Sequence, residues 1–85
     1  MPRIIVEYQF DPPITEEEFD RMADQLEPCL DAHGVRWLQS FLALDRRNRI
    51  CVFDAPDAES VRSAYRRAKV GFVRAWAAEE ITEDD

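Results

Sequence analysis

With 85 residues, 46% hydrophobic, 34% charged and a formal charge of −7, the chain is too apolar for a disordered segment and too acidic for a nucleic-acid or anionic-membrane surface. A domain this small buries only about 60–65% of its unfolded surface, so a second copy is a common source of extra burial. No run of about 18 apolar residues is present to span a bilayer, and the opening MPRIIVEYQF carries one Arg before a strand pattern, unlike a secretory leader.

Arg3 to Phe10 reads as a strand, with Ile4, Val6, Tyr8 and Phe10 on one parity and Ile5, Glu7 and Gln9 on the other. Asp11-Pro12-Pro13 stops it. Thr15 is the expected cap of a first helix, with Glu18 three residues on completing a capping box and Ile14 placed to staple against Phe19. Its buried stripe is expected to be Phe19, Met22, Ala23, Leu26 and Leu30. Pro28 removes a backbone donor inside that helix and predicts a kink or an early end. Gly34 marks its close.

Val35 to Leu44 and Arg49 to Asp54 read as two strands around the turn Asp45-Arg46-Arg47-Asn48. Asp57 is the expected cap of a second helix with the inner stripe Ala58, Val61, Tyr65 and Ala68, closed by Gly71. The tail FVRAWAAEEI fits helix by its alanines and strand by its alternation. The order of the other elements decides for strand, because it then completes a ferredoxin-like, split βαββαβ plan. Residues 1–85 are accordingly one α+β domain, a four-stranded antiparallel sheet with both helices on one face.

The other face of that sheet is the expected functional surface. With the turn at Asp45 to Asn48, Ala43 falls opposite Ile50 and Phe41 opposite Val52. Leu38, Ser40, Leu42, Cys51 and Phe53 then face the helices, while Trp37, Gln39, Phe41, Ile50 and Val52 join Glu7 and Gln9 on the open side. Such an apolar patch exceeds what a monomer normally exposes. The expectation is a homodimer packed sheet to sheet, an assembly of the dimeric α/β-barrel type. Glu7, Gln9, Trp37, Gln39 and Phe41 are the candidate ligand-cavity residues, since a buried Gln39 requires a partner.

Other chemistry finds little support in the residues. His33 is the sole histidine and sits at a helix end, so nucleophile triads and Cys/His metal clusters have no basis. The acidic runs Glu16-Glu17-Glu18 and Glu83-Asp84-Asp85 read as capping and solvated charges, and the two glycines make no phosphate loop. Cys29 and Cys51, without a CxxC partner, read as reduced core thiols of a cytoplasmic protein. Arg62, Arg66, Arg67 and Lys69 on the second helix stand to meet Glu17, Asp20, Asp24, Glu27 and Asp31 of the first along the seam.

The segments RIIVEYQF, VRWLQSF and ICVFDAPDAESVR, with Cys51 to Asp57 and Val61-Arg62 the most specific, resemble a small bacterial family of mostly unknown function. Its type is an actinobacterial nickel-binding protein of ferredoxin-like fold that forms dimers. The resemblance spans residues 3–81. It implies the same fold and a dimer, and it implies nickel, with histidines at the position of Gln39 and near Ala64. Both are missing here, while Glu7 matches the acidic position of the first strand; an amide and a methyl group cannot replace imidazoles on nickel. Glu7 and His33 remain as metal-ligand candidates. The leading expectation is a dimeric binding protein for a small ligand or partner. The alternatives are a cofactor-free monooxygenase- or isomerase-like enzyme with Glu7 as base, and a residual metal binder.

Overall fold

Hydrophobic alternation and two strong helix caps lay out the chain in the order β1 (Arg3–Gln9), α1 (Glu16–Ala32), β2 (Arg36–Leu42), β3 (Asn48–Asp54), α2 (Ala58–Ala68) and β4 (Arg74–Ala78). This is a computed structural model, and it describes residues 2–83; Asp84 and Asp85 of the acidic tail lie outside the described residues. The four strands form one antiparallel sheet in the order β2-β3-β1-β4, the ferredoxin-like arrangement.

The caps follow from side-chain chemistry. Thr15 Oγ1 accepts from the Glu18 amide at 3.1 Å while Glu18 Oε1 accepts from the Thr15 amide at 3.2 Å, closing the capping box. Asp57 Oδ1 does the same work for α2, accepting from the Ser60 amide at 2.7 Å. At the far end of α1, the Val35 amide donates to the Leu30 carbonyl and the Gly34 amide to that of Asp31, with Gly34 at φ 68°. That is a Schellman close, and it sets Val35 beside Leu30 in the core.

Three helix expectations are corrected. Pro28 does not bring α1 to an early end: the helix runs four residues further, to Ala32. Buried Leu30 and the Schellman bonds hold that last turn against the loss of one internal bond. Gly71 does not close α2. Lys69 does, in the left-handed region at φ 59°, with its amide on the Arg66 carbonyl and the Val70 amide on that of Tyr65. Burial of Val70 immediately after the turn fixes the chain direction there. Ala23, placed in the buried stripe by spacing, is exposed.

The core lies between sheet and helices: Ile4, Val6 and Tyr8 of β1, Cys51 and Phe53 of β3, Leu26 and Leu30 of α1, and Val61, Ala64 and Tyr65 of α2. Tyr65 is its aromatic hub, edge-on to Phe53 (6.1 Å) and Phe72 (5.3 Å), and its hydroxyl bonds that of Tyr8. The expected ion pairs across the helix seam do not form among the described residues. Arg62 and Arg66 instead pair with Glu59 of their own helix, and Arg62 Nη2 donates to the Ala75 carbonyl at 2.6 Å.

The hairpin register differs by two residues from the expected one: Phe41 lies opposite Ile50 and Gln39 opposite Val52, with Ala43 bonded to Asn48. Parity survives a shift of two, so Ser40 and Leu42 keep the helix side and Gln39 and Phe41 the open side. Between Trp37 and Gln39 the pairing slips at Leu38, and Trp37 comes opposite Phe53. A single unpaired residue reverses the faces beyond it. Trp37 therefore lies on the helix side, a correction to its expected place on the open face.

Candidate functional site

The open face is built from the outward parity of every strand. β1 gives Ile5 and Glu7, β2 gives Gln39 and Phe41, β3 gives Ile50 and Val52, and β4 gives Arg74 and Trp76, all set by the register of the sheet. Phe41 is 58% exposed, Trp76 44% and Ile50 37%. Trp76, on β4, supplies the aromatic ring expected there from Trp37. Its indole Nε1 donates to Glu7 Oε2 at 2.8 Å, and Arg74 Nε reaches the same oxygen at 2.7 Å.

The remaining charges of this face are also paired within the chain. Asp54 is bridged by Arg3 and Arg36, each at 3.5 Å, and Arg3 also lies 3.8 Å from Glu80. The result is an apolar patch whose formal charges are already compensated. Glu7, Gln39 and Phe41 thus share one face, with Gln9 at its edge opposite Asn48. Trp37 does not belong with them.

The metal candidates are not brought together. Glu7 Oε2 is occupied by two donors on the open face. His33 caps α1 on the other side of the sheet, and its Nδ1–H donates to the Cys29 carbonyl at 2.8 Å. The two positions where the resemblance implies histidines are also divided by the sheet: Gln39 is on the open face, and Ala64 is fully buried on the inner face of α2. No group of three or more His, Cys, Asp or Glu side chains able to hold a metal occurs among the described residues. The donor set of the described residues does not fit a nickel centre. For the enzyme alternative, a Glu7 oxygen held by a guanidinium and an indole is poorly placed to take a substrate proton.

A second set of polar groups lies on the helix side and was not foreseen. Arg49 of β3 points under α1, with its guanidinium 4.0 Å from the Phe19 ring centroid and 5.3 Å from that of Tyr8. Ser40 Oγ accepts from Arg49 Nη2 (3.2 Å) and from Trp37 Nε1 (2.8 Å), and its hydroxyl donates to Cys51 Sγ at 3.0 Å. Burial pushes the Cys51 thiol above its ordinary range, so it is protonated near neutral pH. The sequence signal for this cluster was Arg49 on the same parity as Cys51 and Phe53, a charge at an inward-facing strand position.

Comparison with known proteins adds family and fold. A family model described as nickel responsive protein SCO4226-like matches residues 5–83. Among solved structures, the crystal structure of SCO4226 from Streptomyces coelicolor A3(2) superposes with a TM-score of 0.81 at 14% sequence identity, covering 94% of this chain and 99% of that one. At that identity the likeness speaks for the fold. No curated protein matches the chain.

Proposed function

The chain belongs to the SCO4226-like family of nickel responsive proteins, and from that premise we propose a binding protein that works as a homodimer. In this reading the two sheets pack face to face, and Glu7, Gln9, Gln39 and Phe41, with Trp76 in place of Trp37, enclose a small ligand between them. The observation that carries it is the open face itself. Phe41, Ile50 and Trp76 stay substantially exposed, whereas every charge among them is neutralised by a neighbour in the same chain. Such a face loses less by leaving water than one with unpaired charges, and it gains about 25 cal/mol for each Å² of apolar surface covered. A second copy brings the same compensated surface, which suits a symmetric contact. Gln39 then finds its partners across the interface or on the ligand.

Sedimentation velocity tests the assembly. The wild-type chain is expected to run at twice the monomer mass at micromolar concentration. Phe41→Glu, which would bury an unpaired carboxylate at the contact, is expected to weaken the dimer about a hundredfold or more. A wild-type monomer at tens of micromolar would overturn the proposal.

A further inference from the structure

A cavity of about 410 Å³ lies on the opposite side of the sheet from the open face, between α1 and strands β2 and β3. Its walls are largely apolar, formed by Leu26, Leu30, Val35 and Phe53 with the rings of Phe19 and Trp37. This volume lies within the range of small-molecule sites, which combine apolar walls with a few convergent polar groups. Here those groups are Arg49 and Ser40, the latter already holding Trp37 and Cys51.

Arg49 is the anomaly. The chain has 18 acidic residues for 11 Lys and Arg, yet none of the acidic groups among the described residues forms a salt bridge with this guanidinium. Its contacts are two aromatic rings, one hydroxyl and the Met22 sulfur at 3.9 Å. Its Nε is out of contact with water and has no hydrogen-bond partner. A half-buried cation with no carboxylate in ion-pair reach carries a desolvation cost that two rings and one hydroxyl offset only in part. A planar anion able to take two parallel N–H donors removes that cost best.

We propose that this cavity binds a monocarboxylic acid with an apolar body of medium length, its carboxylate on Arg49 and its hydrocarbon portion along Leu26, Leu30 and Trp37. Glu27 and Asp31 also line the cavity and are exposed on α1. They disfavour a second negative charge, so a dicarboxylate binds less well and the single anionic group is read at Arg49. The site is separated from the open sheet face by the sheet itself and does not depend on the dimer.

Calorimetric titration with decanoate, decanol and decanedioate tests the assignment, with Trp fluorescence read in parallel. Decanoate is expected to bind saturably, one per chain, and at least about tenfold more tightly than either control. Arg49→Gln is expected to abolish the preference for decanoate over decanol, and Arg49→Lys to retain part of it. Leu26→Trp, which fills the cavity while keeping Arg49, is expected to reduce decanoate binding about tenfold or more. That variant decides the matter should Arg49→Gln fail to fold. Equal binding of decanoate and decanol by the wild-type chain, or unaltered decanoate binding by Leu26→Trp, would overturn the proposal. Either result leaves the sheet-face dimer untouched, because its test is the oligomeric state.

Discussion

Tyr8 and Tyr65 illustrate what burial does to single residues in this chain. Their hydroxyls satisfy each other in the core, and removal from water raises both phenols above their ordinary value of about 10, with mutual repulsion of the ionised forms adding to the effect at Tyr8. The folded state therefore keeps protons that the unfolded chain gives up. Their contribution to stability is fully present below about pH 10 and falls as pH rises above it, at up to about 3 kcal/mol per pH unit for two groups. Alkaline titration followed by tyrosinate absorbance and circular dichroism should show both tyrosines ionising together with loss of structure. Ionisation of both at an ordinary value with the fold intact would contradict their burial.

At the scale of elements, the helix ends are set by different means. Thr15 and Asp57 are start signals whose side chains do the capping directly, and Gly34 takes the positive φ that closes α1. In α2 the same role falls to Lys69, whose Cβ makes the left-handed conformation cost about 1 kcal/mol. Lys69→Gly should thus stabilise the chain by about that amount, less a fraction from the greater freedom of glycine in the unfolded state. Urea unfolding midpoints check this; a lower midpoint would mean that the Lys69 side chain contributes something its exposed position does not suggest. The Leu38 slip is the other decisive local feature. It turns Trp37 from the open face to the helix side, where its indole holds Ser40.

For the whole molecule, the sheet is a partition between two surfaces of different character. One carries compensated charges among exposed aromatics; the other encloses a cavity lined by an Arg49 that has no salt bridge among the described residues. The metal expectation falls across that partition, because Gln39 and Glu7 lie on one side and His33 and Ala64 on the other. Titration of the wild-type chain with Ni(II) should accordingly give no stoichiometric site tighter than about 1 mM, a bound of about 4 kcal/mol. A one-to-one micromolar site would require donors from two subunits and would revise the reading of Glu7 and Gln39.

The sequence by itself determined the element order, the caps at Thr15 and Asp57, the Gly34 close and the parity of β1, because capping chemistry and the two-residue period act locally. It also determined that one sheet face stays apolar, since that needs only the side chains and not their exact register. The family resemblance was legible for the same reason. Tertiary structure alone decided which tryptophan sits on the open face. A bulge has no sequence mark when Trp37 and Leu38 are both apolar, and Trp76 is placed by pairing with Ile5, far away in the chain. It alone carried α1 through Pro28, where packing of Leu30 outweighs one lost backbone bond. It also decided that Arg49 lies beneath α1 with no carboxylate of the described residues in salt-bridge reach, because ion pairing depends on what the fold brings near and not on how many acids the chain contains.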